Sequence, residues 1–173
     1  MDFEIKYYSE SVQAQILELP ATLAARYIVL TRRMLAIGPN LGEPHTKAMG
    51  SGLFELRLKG AEGIARVFYC TLIGKRIVML HSFVKKSQRT PKQELDLAQS
   101  RMARMLSSTY GSVDVAMEIV VNTAIDAAIA LGLYTCTASM AGKASQDIQN
   151  IMNMLQGLGY TVSLSSTTLT VSW

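Results

Sequence analysis

Three short stretches of alternating apolar and polar residues follow one another in the middle of the chain, separated by turns that contain glycine. Alternation with a period of two is typical of strands that bury one face, so this region predicts a meander of three strands. The predicted strands are residues 53–58, 64–72 and 76–84. Basic side chains recur along them and just after them, at Arg57, Arg66, Lys85, Lys86 and Arg89. This cluster of cations indicates a surface for a polyanion, and a solvated basic face without a ligand is the plainer alternative.

The positive charge of the chain stops near residue 106. Residues 1–106 contain 16 Lys and Arg against 9 Asp and Glu, a balance of +7, whereas residues 107–173 contain 1 against 4, a balance of −3. Such a change between two parts of a chain predicts units with different roles. We therefore expect a basic domain at residues 1–106, a linker of small polar residues (S-S-T-Y-G-S) at 107–112, and a small α/β accessory module at 113–173.

The order of predicted elements gives an α+β fold. A strand at residues 3–8 and two helices separated by Pro20 precede the meander, and Thr90 and Pro91 begin a helix after it. Residues 41–52 are predicted as a loop, because they are rich in glycine and contain a proline. The resulting order, β-α-α-β-β-β-α, predicts an antiparallel-rich sheet with helices on one side. The accessory module predicts the order α-β-α-β-β, ending in a hairpin rich in Thr and Val.

Several other classes of site have no support in the sequence. The two histidines and two cysteines provide no close pair of metal ligands. The G-S-G at residues 50–52 lacks the Lys-Ser/Thr pair and the following helix of a phosphate-binding loop, and no Ser, Cys or Asp lies in a nucleophile motif. We therefore expect neither a metal nor a cofactor.

The sequence also favours a cytoplasmic location. The apolar run at residues 113–133 is interrupted by Glu118, Asn122 and Asp126 at helical spacing, which predicts an amphipathic helix instead of a membrane span. The first residues are acidic, where a secretory signal would be basic and then apolar. Two cysteines in separate parts of the chain are typical of free thiols in a reducing compartment.

Four segments within the first domain carry a family pattern. They are G-L-F-E-L-R-L at residues 52–58, A-R-V-F-Y at 65–69, R-I-V-M-L-H-S-F-V-K-K-S-Q-R-T-P at 76–91 and E-L-D-L-A at 94–98. With the element order, they make residues 1–104 resemble the RelE/HigB superfamily of toxins from type II toxin–antitoxin systems, especially its phage-derived HigB-like branch. The resemblance implies a RelE-like fold for this part. Residues 107–173 resemble small α/β modules of tailed-phage proteins only faintly.

The activity that this resemblance implies is a ribosome-dependent, metal-independent endoribonuclease that cuts messenger RNA. In the family's chemistry the ribose 2′-hydroxyl attacks the adjacent phosphate, basic groups hold the backbone, and an aromatic residue stacks on a base. Carried onto this chain, the expected catalytic residues are Lys85, Lys86, Arg66 and His81. The expected RNA-binding residues are Lys47, Arg57, Phe83 and Arg89.

Two of these assignments have alternatives. His81, like His45, is a candidate base, and the alternative is a histidine packed within its strand. Phe83 is a candidate for stacking on a base, and the alternative is a side chain in the core.

The partners implied by the resemblance are messenger RNA, the ribosome of a bacterial or phage-infected cell, and an antitoxin of the helix-turn-helix type, with no membrane. An oligomer formed through the accessory module is a further expectation. The sequence contains no unambiguous acid/base pair. The alternative is therefore a non-catalytic, toxin-like protein of phage or mobile-element origin that docks on RNA, a ribosome or a host protein. In a third hypothesis, the acidic accessory module covers the basic sheet and inhibits it.

Overall fold

The computed structural model describes residues 3–72, 75–86, 90–110, 115–157 and 160–172. These residues form a mixed α+β structure with five helices and eight strands, and the chain divides into two compact units, Met1–Met105 and Leu106–Trp173. The elements are β1 (Glu4–Tyr7), α1 (Glu10–Leu17), α2 (Ala21–Ile37), β2 (Thr46–Gly50), β3 (Leu53–Gly60), β4 (Gly63–Leu72), β5 (Arg76–Val84), α3 (Lys92–Tyr110), α4 (Val115–Ala130), β6 (Thr135–Ser139), α5 (Ser145–Gly157), β7 (Thr161–Ser165) and β8 (Thr168–Ser172). Among the described residues, no helix is both long and apolar enough to cross a membrane.

The first unit is built on a mixed sheet of five strands in the order β1-β5-β4-β3-β2. Strands β2 to β5 pair antiparallel with their sequence neighbours, which confirms the predicted meander, and β1 pairs parallel with β5. The loop predicted at residues 41–52 is wrong in part, because Thr46–Gly50 forms β2 along the edge of β3. This strand of five residues ends at a glycine and is too short to show a clear alternation in the sequence.

One face of this sheet, the inner face, is covered by α1 and α2. The buried apolar and aromatic residues on α2 are spaced three or four positions apart, as expected for one face of a helix: Leu23, Tyr27, Leu30 and Met34. They form one hydrophobic cluster with strand residues that include Leu56, Leu58, Val67, Tyr69 and Met79. Helix α1 begins after Ser9, whose Oγ accepts a hydrogen bond from the Val12 N–H at 3.3 Å.

A β-bulge in β5 decides which side chains reach the opposite, outer face. Tyr69 of β4 pairs with Met79, whereas the preceding Phe68 pairs with His81, so Leu80 is an extra residue in β5. Residues directly opposite each other in antiparallel strands share a face. His81 therefore lies with Phe68 on the outer face and not with Met79 on the inner face.

The expectation that the helices lie on one side of the sheet is wrong. Helix α3 contacts the outer face, where Glu94 is hydrogen-bonded to Nε2 of His81 and Nη1 of Arg101 donates to the Leu80 carbonyl oxygen at 2.8 Å. The strands β4 and β5 consequently carry long unbroken runs of buried residues. Burial on both faces is the physical reason for the apolar stretches at residues 67–70 and 77–80 within these runs.

The second unit contains an antiparallel sheet in the order β6-β8-β7, and its described elements confirm the predicted order α-β-α-β-β. Its buried apolar residues include Ile151 and Leu155 of α5 and Leu169 and Val171 of β8. The segment predicted as a linker begins within a helix, since residues 107–110 are the end of α3. Ser and Thr are tolerated in a helix where no Gly or Pro interrupts it. Residues 111 and 112 lie outside the described residues.

Candidate functional site

Cross-strand pairing aligns the predicted site residues on the outer face in two rows. The first row contains Lys47, Glu55, Phe68 and His81. The second row contains Arg57, Arg66 and Phe83. Because side chains directly opposite each other in antiparallel strands lie about 5 Å apart on one face, the two rows are adjacent, with Lys47, Arg57, Arg66 and Phe83 at least partly exposed and Glu55, Phe68 and His81 buried. We refer to these seven residues as the outer-face array.

Six of the eight predicted site residues belong to this array or continue it. Five are members: Lys47, Arg57, Arg66, His81 and Phe83. Lys85 follows the second row, because its N–H donates to the carbonyl oxygen of Ile64 at 2.7 Å and so extends the pairing of β5 with β4. Lys86 is exposed beyond that last backbone pair, and Arg89 lies outside the described residues.

Glu55 lies between the two arginines and is buried, with 4% of its side chain exposed. Its Oε1 is 3.0 Å from Nε of Arg57 and 3.3 Å from Nε of Arg66, and its Oε2 accepts a hydrogen bond from Thr90 Oγ1 at 3.3 Å. Arg57 and Arg66 are directly opposed across β3 and β4, an arrangement of like charges that is unfavourable by itself. The Glu55 carboxylate offsets this repulsion, because it accepts a hydrogen bond from Nε of Arg57 and lies within ion-pair distance of Nε of Arg66, which has no hydrogen-bond partner of its own among the described residues.

Arg66 is the more enclosed of the two arginines, with 13% of its side chain exposed against 25% for Arg57. Burial lowers the pKa of the Arg66 guanidinium, the Glu55 carboxylate opposes that effect, and the Arg57 charge lowers it further. Nη1 of Arg66 donates to the Ala65 carbonyl oxygen at 3.1 Å. Arg57 also pairs with the exposed carboxylate of Glu43, at 2.5 Å between Nη1 and Oε2.

Both ring nitrogens of His81 have protein partners. Nε2 is hydrogen-bonded to Oε2 of Glu94, and Nδ1 lies 3.4 Å from Nη1 of Arg101. Only 9% of the His81 side chain is exposed. The ring stacks on Phe83 with centroids 6.1 Å apart, and Phe83 in turn lies 5.8 Å from Phe68. Phe83 is partly exposed whereas Phe68 is fully buried, so Phe83 is the ring of this group that a ligand can reach.

A cleft opens where β3 extends past Thr46, the first residue of β2. Its volume is about 470 Å³, and it is lined by Arg26, Pro44, His45, Arg57, Leu58, Lys59, Ile64 and Arg66. One backbone hydrogen bond links the loop before β2 to β3: the Arg57 N–H donates to the His45 carbonyl oxygen at 2.8 Å. We call this cavity the edge cleft. It shares Arg57 and Arg66 with the outer-face array.

His45 is held in the edge cleft by Arg26 of α2, whose Nη2 lies 3.3 Å from Nδ1 of His45. Desolvation by its surroundings, and then the positive charges of Arg26 and Arg33, lower the pKa of His45. The imidazole is therefore neutral near pH 7. Because Nδ1 accepts from Arg26, the ring hydrogen is assigned to Nε2, which is a donor.

Sequence reasoning missed four charged residues of these sites. They are Glu55, Glu94, Arg101 and Arg26. Glu55 had a usable signal, because it stands two positions before Arg57 on a strand and therefore on the same face. The other three lie on helices, and the number of residues that separates them from the strand residues does not indicate whether they contact these strands. Within the part of the chain that is described, no three His, Cys, Asp or Glu side chains converge as a metal site.

Comparison with known families adds one finding. A family model described as "Phage derived protein Gp49-like (DUF891)" matches residues 14–103 of the chain, slightly more than half of its length. The match begins within α1 and ends within α3, so it includes the whole outer-face array and all residues of the edge cleft. No curated protein matches the chain.

Proposed function

Because the chain belongs to the Gp49-like family of phage-derived proteins, which is a member of the RelE-like toxin superfamily, we propose that it is the toxin of a toxin–antitoxin system. The activity that we propose is ribosome-dependent cleavage of messenger RNA without a metal ion. The proposed fold of residues 1–106 is RelE-like, and the proposed partners are messenger RNA, the ribosome and an antitoxin. The observation that supports this function best is the outer-face array.

In the proposed reaction the ribose 2′-hydroxyl oxygen bonds to the adjacent phosphorus, and the bond from phosphorus to the 5′-oxygen of the next nucleotide breaks. The products are a cyclic 2′,3′-phosphate and a 5′-hydroxyl. Negative charge develops on the phosphate oxygens in the transition state, so fixed cations placed beside them lower the barrier. Arg57 and Arg66 are proposed to supply these cations. Solvent water is proposed to take the proton that the 2′-hydroxyl loses, and Lys85 or Lys86 is proposed to donate the proton that the leaving 5′-oxygen requires.

The buried Glu55 supports this assignment of the arginines. Without it, two directly opposed guanidinium groups would repel each other and turn into solvent. With Oε1 at 3.0 Å from Nε of Arg57 and 3.3 Å from Nε of Arg66, the carboxylate attracts both guanidinium groups before any substrate arrives. Groups that are already ordered lose less conformational entropy when a ligand binds. Glu55 is therefore proposed as a positioning residue for the phosphate contacts.

The contacts of His81 support a positioning role for it and not proton transfer. For Nε2 to accept a proton from RNA, Glu94 would first have to leave it, and Nδ1 faces a cation. His81 holds the Phe83 ring by stacking and holds α3 through Glu94. Phe83 is proposed to stack on a base of the RNA, and Lys47, at the other end of the first row, is proposed to contact the backbone.

The test of this function is expression of the full chain from an inducible promoter, with growth and the positions of cuts in messenger RNA as readouts. The parent chain is expected to arrest growth and to cut messages, and a Lys85→Ala/Lys86→Ala variant is expected to lose at least about tenfold of the cutting. The control is Lys6→Ala/Lys92→Ala, which removes the same charge from two exposed lysines paired with Glu4 and Asp96. Absence of both arrest and cutting from the parent chain, with folded protein present, rules the function out.

A second candidate function is a non-catalytic protein that binds RNA or the ribosome through the same surface. It is favoured by the double engagement of His81, which leaves the array without a histidine ready for proton transfer. In this case the parent chain is expected to bind ribosomes and to leave messages uncut. Growth arrest without new 5′-hydroxyl ends would support this candidate over the endonuclease.

A further inference from the structure

The proposed reaction uses Arg57 and Arg66 but leaves the rest of the edge cleft without a role. The cleft has excess positive charge. Arg57 pairs with Glu43 and Glu55, and Arg66 lies against Glu55. Arg26 and Lys59 have no carboxylate partner among the described residues.

A neutral histidine adds a directed donor to this positive cleft. Since Nδ1 of His45 faces Nη2 of Arg26 at 3.3 Å, its Nε2 carries the hydrogen. A positively charged group and a neutral N–H donor side by side are suited to the oxygens of a phosphate group. Arg26 projects from α2 and His45 from the loop before β2, so the two approach from elements other than β3 and β4.

The remaining wall of the cleft is apolar. Pro44, Leu58 and Ile64 line it; Pro44 and Ile64 are exposed, whereas Leu58 is fully buried. A volume of about 470 Å³ lies within the range of small-molecule sites, which is about 300–1,000 Å³. A cavity with a cationic side and an apolar side fits a ligand with a phosphate and a flat, weakly polar ring.

We propose that the edge cleft binds one phosphorylated nucleotide unit, with its phosphate at Arg26 and Nε2 of His45 and its base against the exposed Pro44 and Ile64. Arg57 and Arg66 belong to both the array and the cleft, so an RNA strand on the array would extend into the cleft with its neighbouring nucleotide. This second statement rests on the proposed function, whereas binding of a free nucleotide does not. The cleft would thus set which nucleotide stands beside the cut.

The test is calorimetric titration of the full chain with three probes. These are adenosine 5′-monophosphate, adenosine, and a tetranucleotide of 2′-O-methyl RNA, which cannot be cut because its 2′-oxygen is blocked. The monophosphate and the tetranucleotide are expected to bind, and adenosine is expected to bind at least about tenfold more weakly, because charge-assisted hydrogen bonds to the phosphate are missing. Adenosine binding as tightly as the monophosphate would overturn the proposal.

Matched variants on one helix assign the phosphate contact. Arg26→Gln is expected to weaken monophosphate binding about tenfold. Arg32→Gln is the control, because Arg32 is an exposed arginine of α2 that does not line the cleft, and it is expected to stay within about twofold of the parent. Equal losses from both variants would mean binding by overall charge and would overturn the proposal. Lys59→Gln changes an exposed side chain of the cleft and is also expected to weaken monophosphate binding. Unchanged binding by this variant would contradict a nucleotide site in the cleft.

The outcomes separate this proposal from the proposed function. One outcome is that the parent chain cuts messages and that Arg26→Gln leaves tetranucleotide binding unchanged. This result would contradict nucleotide binding in the edge cleft and would leave the proposed endonuclease activity intact. The opposite outcome is that the chain cuts no message but binds the monophosphate, and that Arg26→Gln weakens this binding. This result would support the nucleotide site in the edge cleft and contradict the endonuclease activity. Imidazole NMR signals give an independent readout, since the monophosphate is expected to shift the signals of His45 and not those of His81, and a shift of His81 alone would overturn the assignment.

Discussion

Arg57 and Arg66 face each other directly across β3 and β4, and one oxygen of the buried Glu55 lies 3.0 Å from the first and 3.3 Å from the second. One carboxylate thus holds together two like charges that would otherwise separate. The basic character of this surface depends on an acidic residue that sequence reasoning did not select for the site.

We expect Glu55→Gln to lower the free energy of unfolding by about 3 kcal/mol, because it leaves two partly buried guanidinium groups without their shared countercharge. Urea denaturation followed by circular dichroism measures this loss. The control is Glu43→Gln, which removes a carboxylate from the same Arg57 at an exposed position, where an ion pair is worth about 0.5 kcal/mol. Equal effects of the two substitutions would contradict the role assigned to Glu55.

Arg101→Gln is expected to destabilise the first unit by about 1–2 kcal/mol, since the Leu80 carbonyl oxygen at the bulge loses the donor that lies 2.8 Å from it. Arg101 also lies over the Tyr8 ring, 5.4 Å from its centroid. Arg104, three residues later in α3, is exposed, and Arg104→Gln is expected to change stability by less than about 0.5 kcal/mol. Denaturant titration compares the two variants. A loss from Arg104→Gln as large as that from Arg101→Gln would show that the contact at the bulge is not the cause.

Phe83→Leu is expected to reduce the cutting of messages about fivefold to tenfold with little loss of stability, because a stacked base loses its aromatic partner. Phe68→Leu is the control, since Phe68 is fully buried and pairs with His81 one row away. Phe68→Leu is expected to lower the free energy of unfolding by about 1–2 kcal/mol. The rate of cutting per folded molecule is expected to stay the same. Kinetics of cutting normalised to folded protein distinguish the two. Unchanged cutting by Phe83→Leu would exclude a stacking role.

The pKa of His45 is expected to lie below 6.5, because desolvation and the charges of Arg26 and Arg33 disfavour the imidazolium. NMR titration measures it directly, and the chain has only two histidines to distinguish. Arg26→Gln is expected to raise the midpoint, as it removes the nearer cation. A midpoint at or above 6.5 in the parent chain would contradict this electrostatic description.

The same depressed pKa has a consequence for stability. The unfolded chain binds a proton at His45 at a higher pH than the folded chain does, so the folded state loses stability as the pH falls. The contribution of His45 is fully present above about pH 6.5 and is lost as the pH falls through the lower folded pKa. In His45→Gln this part of the pH dependence is expected to disappear.

Gly60→Ala is expected to destabilise the first unit by about 1–3 kcal/mol through overpacking. A Cβ at this position would overlap Oγ1 of Thr22 and lie 3.2 Å from Cδ2 of Leu23. Thr22 Oγ1 cannot turn away freely, because it accepts from the Ala61 N–H at 2.8 Å and is hydrogen-bonded to Glu62. In a Thr22→Ala background the cost of Gly60→Ala is expected to be smaller, and thermal or urea unfolding of the four chains measures the difference. An unchanged cost would show that Thr22 is not the obstacle.

Much of the fold could be predicted from local pattern. Alternation in the sequence marked β3, β4 and β5, and the period of two places Glu55 and Arg57 on one face of β3 and Leu56 on the other, as the structure has them. Pro20 marked the boundary between α1 and α2, and the order of elements in the second unit was also predicted. Such features follow from neighbouring residues alone, because the period of a strand or helix is fixed by backbone geometry.

That basic residues recur on a small sheet follows from local sequence, since their positions along each strand are a local property. Which of them share a surface depends on the tertiary structure. Regular alternation from Met79 would put His81 and Phe83 on the inner face, but the bulge at Leu80 turns both to the outer face. A bulge depends on the register with the partner strand, and the contacts of Glu94 and Arg101 with β5 depend on how α3 packs. Both are interactions between residues distant in the chain, which local periodicity does not encode.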